Sequence, residues 1–172
     1  MKGIKKINRG LILTVVVLLA VITYLVIISI KINKMEVEAK SFLETFLAAD
    51  EKYKVIPDEY RDDYEGYLKK IEPEMRNYFA DDGAYEYYVE NNIHSQYRKN
   101  NFYKTCRVFL QDAYESSYNN GVFTMQYLIG INGTLDFTKQ ENESFRNSYV
   151  FSFKQIDGKL KIYYLNYCID II

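Results

Sequence analysis

The chain has 172 residues, 48% hydrophobic and 26% charged, a globular composition that excludes wholesale disorder and, with its first thirty residues set apart, gives length for one core rather than two. Its net charge of −1 hides a division: four of the 22 basic residues (Lys2, Lys5, Lys6, Arg9) precede position 10, leaving 18 against 23 acids, net −5, beyond the start. Such an acidic domain lacks the dense Lys/Arg contacts that grip phosphate, so no direct nucleic-acid partner is expected.

Residues 1–9 read as a basic tail. Residues 10–30 follow without one charge, and at 1.5 Å per residue a helix of that length spans roughly 31 Å, the thickness of a bilayer core. The alternatives are a cleaved signal peptide and a buried core helix. A signal peptide has a shorter apolar region and a small-x-small cleavage site, whereas this run ends Ile27-Ile28-Ser29-Ile30-Lys31. A single-pass anchor is the expectation, in contact with membrane lipid through residues 10–30. By the positive-inside rule the tail lies in the cytoplasm and the remainder outside the cell membrane. Neither cysteine is near enough for lipid attachment.

Residues 31–35 read as a juxtamembrane joint and residues 36–172 as one extracytoplasmic domain. Its first segment, residues 36–54, places Ala39, Phe42, Leu43, Phe46, Leu47, Ala49 and Tyr53 at three- and four-residue spacings with charges such as Glu44 and Asp50 between them, an amphipathic helix running on from the membrane segment. A second helical region covers residues 58–80 with a break at Pro73 and a buried side of Tyr64, Tyr67, Leu68 and Ile71. A third runs from Gly83 or Ala84 to Asn91-Asn92.

From Phe102 the period changes to two. Cys106, Val108 and Leu110 alternate with Thr105, Arg107, Phe109 and Gln111, Asn119-Asn120 supplies a turn, and Phe123, Met125, Tyr127, Ile129 and Ile131 fill one face of a second strand. A polar link over residues 136–144 leads to a third strand, residues 145–156. Asp157-Gly158 then closes a two-residue hairpin, which pairs Ile156 with Lys159. That register puts Tyr149, Phe151 and Phe153 on a core face with Leu160, Ile162 and Tyr164, and puts Lys154, Tyr163 and Leu165 on the outer face. The fold class is α+β: one transmembrane helix, then helices packed on a curved four-stranded antiparallel sheet, with the first helix across it.

The chemistry-bearing residues form no catalytic set. In a simple meander Cys106 pairs with Gly133 and Cys168 with Asn147, on strands roughly 14 Å apart, beyond bridging distance, so free thiols are expected. His94, the one histidine, lies in a polar stretch with no spacing toward the cysteines, so neither a zinc site nor a His-dependent nucleophile is expected. The acids Asp58, Glu59, Asp62, Asp63 and Glu65 lack the ligand order of a calcium loop and read as a solvated helix face. No Asp, Glu or His interrupts the predicted core faces, and no catalytic residue, cofactor or metal is expected. Two glycosylation sequons, at Asn132 and Asn142, are discounted because the Lys/Asn/Ile/Tyr bias points to an AT-rich bacterial genome.

The stretch Ala39-Lys-Ser-Phe42-Leu43-Glu-Thr-Phe46-Leu47-Ala-Ala-Asp50, followed by Tyr67-Leu68, Met75 to Ala80 and the closing Asp157-Gly158-Lys159-Leu160-Lys161-Ile162 hairpin, resembles nuclear-transport-factor-like (cystatin-like cone) domains over residues 36–170. With the basic tail and one membrane helix, the layout resembles the small bitopic scaffold subunits of conjugative type IV secretion channels. That resemblance implies binding to other membrane-complex subunits and to copies of itself. The many tyrosines suit such interfaces, with Tyr163, Leu165 and Lys154 as the expected contact face. The competing expectation is an anchored module that holds a ligand or a cell-wall fragment in a cone mouth lined by Phe42, Phe46, Tyr149, Phe151 and Tyr164. An enzyme using an acid in that mouth is the third.

Overall fold

The computed structural model describes residues 9–135 and 143–168; most of the basic tail, the polar link at 136–142 and the last four residues lie outside it. Helix α1, Arg9–Lys54, runs 46 residues without interruption. Its sequence from 11 to 54 contains neither Gly nor Pro, the two residues that most readily end or kink a helix. Along residues 11–27 every side chain is exposed, and the helix is long and apolar enough to cross a membrane. From Ile32 onward one side packs into the domain, with Met35, Ala39, Leu43, Phe46, Leu47 and Tyr53 buried. The segment at 31–35 is therefore part of the same helix, and its packing begins two residues past the apolar run.

After α1 a single 3-10 turn, Asp58–Tyr60, leads to α2, Tyr64–Met75, capped by Asp63, whose carboxylate accepts from the Gly66 N–H at 2.8 Å. Pro73 does not break this helix as expected. It lies inside α2 on an exposed position, where the carbonyl freed one turn earlier can turn to water, and the chain tightens into a 3-10 turn only over Arg76–Tyr78. Tyr67, Ile71 and Met75 are buried, while Tyr64 and Leu68 pack at the margin.

Helix α3, Asp82–Val89, starts at the Asp81 cap, which accepts from the Ala84 N–H at 3.0 Å. The expected stop at Asn91-Asn92 is absent. Instead a π-helical turn, Glu90–His94, carries the chain into α4, Ser95–Lys99, and the stop comes at Asn100 with φ 46°. The asparagines continue the helix because their amides donate back one turn, Asn91 to the Tyr87 carbonyl and Asn92 to that of Tyr88. The extra residue of the π turn brings Asn92, Ile93 and Gln96 all to the core side.

Strands β1 (Tyr103–Asn119), β2 (Val122–Leu135), β3 (Glu143–Ile156) and β4 (Lys159–Cys168) form one antiparallel sheet in the order β1-β2-β3-β4. Three register irregularities interrupt β1, and bulges of this kind bend a strand and raise its twist. The first hairpin turn is Asn120-Gly121, with φ 49° and 81°, one residue later than expected: glycine takes the second positive φ without steric cost. The second is Asp157-Gly158, with φ 51° and 73°, and it does pair Ile156 with Lys159.

Beyond that hairpin the expected alternation holds for Leu160 and Ile162 and then inverts. Phe153 pairs with Ile162 but Ser152 with Tyr164, so Tyr163 is an extra residue on β4. The inversion leaves Tyr164 half exposed, not in the core, and buries Leu165 at 2% exposure, not on the outer face. The same slip pairs Cys168 with Ser148 rather than Asn147, while Cys106 pairs with Gly133 as expected. The cysteines sit on the two outer strands with two strands between them. Cys106 is a free thiol whose burial pushes its pKa up to about 11.

Helix α1 rests mainly on β1, with lesser contacts to β2 and β4, and Glu51 ties the two by accepting from the Val108 N–H at 2.7 Å. Its aromatic Phe46 reaches further, meeting Tyr78, Phe79, Tyr88 and Phe151 edge-on at 5.5 to 6.2 Å between ring centroids. At the other edge Phe79 bridges to Ile162 and the Ala80 N–H donates to the Ile162 carbonyl at 2.7 Å. Both outer strands thus carry a partner where an open edge would invite pairing with another chain.

Candidate functional site

The cone interior holds four of the five residues expected to line a pocket. Phe46, Tyr149 and Phe151 are buried and Phe42 is half-buried. Their rings fill the space: Phe151 stacks between Tyr149 and Phe153 at 6.0 and 5.9 Å, and Phe42 meets Phe153 edge-on at 6.0 Å. What remains beside Phe46, Tyr149 and Phe151 is a void of about 10 Å³, the room of one water molecule. That void is too small for a ligand, while an open groove of about 670 Å³ lies on the other side of Phe42.

The void is bordered by Asp50 and Asn92, members of a buried polar cluster. Asp50 and Lys54 form an i,i+4 ion pair at 3.2 Å with side chains 7% and 4% exposed. The Tyr88 hydroxyl donates to Asp50 at 2.7 Å, Lys54 donates to the Asn92 amide oxygen at 2.7 Å, and Asn92 donates to the Tyr88 carbonyl at 3.0 Å. This corrects the expectation that no acid interrupts the core. Asp50 was legible: it stands three and four residues beyond Leu47 and Phe46 and four before Lys54, on the apolar stripe. The ammonium and the phenol engage the carboxylate, which leaves the cluster suited to pinning α1 to α3 and the π turn rather than to moving protons.

The acids Asp58, Glu59, Asp62, Asp63 and Glu65 are exposed and His94 is half-buried. His94 bonds Glu90 at 2.5 Å and packs against Tyr64; that bond holds the Glu90 carboxyl below its usual range. Asp58 pairs with Arg61 at 3.0 Å, and Asp63 caps α2. No three His, Cys, Asp or Glu side chains are placed to hold a metal ion among the described residues. On the outer sheet face the Lys154 ammonium sits 3.1 Å from the centroid of Tyr163, a cation–π contact. Tyr163 and Tyr164 are 39% and 50% exposed, and Thr124 and Ser152 share a hydrogen bond across β2 and β3 at 3.0 Å. Of the residues expected on the outer face, Lys154 and Tyr163 lie there, Leu165 is buried instead, and Tyr164 is exposed beside them.

No protein-family model matches this chain, and no curated protein does. Among solved structures it is similar to an IcmL-like type IV secretion system protein from Legionella pneumophila subsp. pneumophila str. Philadelphia 1. The likeness has 15% identity and a TM-score of 0.47, and covers 73% of this chain and 89% of that one. It is also similar to a periplasmic fragment of TraM, at 14% identity and a TM-score of 0.48, over 77% of this chain and 96% of the fragment.

Proposed function

We propose that this chain is a membrane-anchored assembly subunit without catalytic activity, and that it serves a type IV secretion channel. The observation that carries the first part is the continuity of α1: one helix presents 21 uncharged residues to its surroundings and then becomes the central support of a filled domain. Such a molecule is built to hold a folded face at a fixed place beside a bilayer. The channel assignment rests on the layout of basic tail, single span and cone domain that the sequence shares with conjugative scaffold subunits. In this reading the tail is cytoplasmic, the domain lies outside the cell membrane, and Lys154, Tyr163 and Tyr164 contribute to contact with other subunits and with copies of this chain. The ligand-holding alternative finds little room in the void of about 10 Å³ beside Phe46, Tyr149 and Phe151.

The test is genetic and then chemical. Deleting the gene should abolish transfer through the channel, and the full chain should restore it where a chain lacking residues 10–30 does not. A photo-crosslinker at Tyr164 should capture a second copy or another channel subunit. Transfer that survives the deletion, or a chain that crosslinks to nothing in intact membranes, overturns the assignment.

A further inference from the structure

Both hairpin turns, Asn120-Gly121 and Asp157-Gly158, lie at the same end of the sheet, because Val122 pairs with Lys154. That end faces the point where the apolar run of α1 stops. Lys31, the first residue past the run, donates to the Tyr118 hydroxyl at 2.7 Å and sits 4.2 Å from its ring centroid, so the first hairpin is held level with the end of the apolar segment. The headgroup layer on each side of a bilayer is about 5 to 8 Å deep, and an amphipathic tyrosine beside a lysine is the pair that settles there. The second hairpin stands further along the helix, across an open groove of about 670 Å³ whose helical side runs from Val37 to Thr45, beginning about two turns past Lys31, and whose other side includes Lys159 and Lys161.

The charge at this end runs against the rest of the domain. Lys31, Lys34, Lys154, Lys159 and Lys161 stand with Glu36, Glu38 and Asp157, an excess of two cations in a segment that is net −5 as a whole. Lys154 lies over the Tyr163 ring and Lys161 donates to the Asn77 carbonyl, which leaves Lys31, Lys34 and Lys159 as the cations nearest the membrane segment. Glu36 is itself occupied, accepting from the Ser116 hydroxyl. Two apolar side chains are exposed among these charges, Val37 at 73% and Ile156 at 37%. A basic rim with apolar points, joined without a hinge to a membrane segment, fits anionic lipid rather than a protein groove.

We infer that the hairpin end of the domain is a second membrane contact, resting on anionic phospholipid headgroups of the leaflet from which α1 emerges. Tyr118 and Lys31 sit in the headgroup layer. A helix tilt of about 20°, ordinary for such segments, lowers the second hairpin so that Lys159 extends to the phosphates. The inference rests on the reading of residues 10–30 as an anchor.

The full chain, with Cys106→Ser and Cys168→Ser, is placed in phosphatidylcholine vesicles with and without phosphatidylglycerol, carrying one fluorophore at a time on Val17→Cys, Asn120→Cys, Ile156→Cys or Lys99→Cys. Nitroxides on acyl chains should quench Val17, which tests the anchor alone. Nitroxides on headgroups should quench Asn120 and Ile156 but not Lys99 at the opposite end. Quenching at Ile156 should rise roughly twofold or more with phosphatidylglycerol and fall with salt. Lys159→Glu, and separately Lys34→Glu, should weaken it without altering Val17. Quenching at Ile156 no stronger than at Lys99, or indifferent to lipid charge, overturns the inference while the anchor stands; an unquenched Val17 overturns both.

Discussion

Residues 10–30 and 32–54 belong to one helix with one backbone geometry, yet each half is stabilised by a different surrounding. In the first, apolar side chains point in every direction and almost all are exposed, which only a medium as apolar as themselves can satisfy. In the second, Met35, Ala39, Leu43, Phe46 and Leu47 face inward while Lys40, Glu44 and Lys52 face water. The first half has no charge at all, and the second buries an ion pair, Asp50 with Lys54. What decides the difference is the distribution of side chains around the axis, because the propensity of the chain for helix continues across the boundary.

That contrast can be broken most severely at the ion pair. Lys54→Met should cost about 3 to 5 kcal/mol in denaturant unfolding of the domain by leaving the Asp50 carboxylate buried without its cation, and replacing Asp50 as well by Leu should recover much of the loss. Next come two identical changes in the same helix. Leu43→Ala, fully buried, should cost about 2 to 5 kcal/mol, whereas Leu19→Ala, 58% exposed, should leave domain stability within a few tenths of a kcal/mol. Equal effects at the two leucines would mean that the apolar half folds into the domain.

Smaller changes sharpen the boundary itself. Lys34→Gly lies between the packed Ile32 and Met35, and the loss of about 1 kcal/mol expected of glycine in a helix should appear in domain unfolding if the two halves fold as one rod. The least effect is expected at the outer face of the second half, where Lys52 bonds Glu74 at 2.8 Å and the Tyr53 hydroxyl donates to the same carboxylate at 2.5 Å. These donors lower the Glu74 pKa below its ordinary 4.5. A carboxyl with a depressed folded-state pKa stabilises above its unfolded value and loses that contribution as pH falls through the folded one. Glu74→Gln should therefore lower the thermal midpoint slightly at neutral pH and not at all in strong acid.

The sequence carries those parts of the fold that repeat a local rule. The apolar run, the stripe from Ala39 to Tyr53, the alternation from Phe123 to Ile131 and the Asp157-Gly158 turn each announce their geometry within a few residues. What failed were departures from period. Tyr163-Tyr164-Leu165 holds three apolar residues in a row, which breaks alternation, but composition alone does not say which of the three is the extra one. Pro73 and the Asn91-Asn92 pair signal breaks by type, yet an exposed position rescued the first and back-bonding amides the second. The space at the candidate pocket was out of reach for a further reason: knowing which aromatic rings face inward does not reveal whether they leave space or fill it.

The unbroken passage of α1 from its apolar half into the domain has a consequence for encounter between molecules. A domain on a loose linker samples many orientations and loses that freedom each time it binds. In the proposed anchored arrangement, one carried on a stiff rod with no hinge would keep its outer sheet face at a nearly constant angle to the plane in which it diffuses. Its search for a partner is reduced to position in that plane and rotation about one axis, so even a small contact surface can meet its counterpart in register.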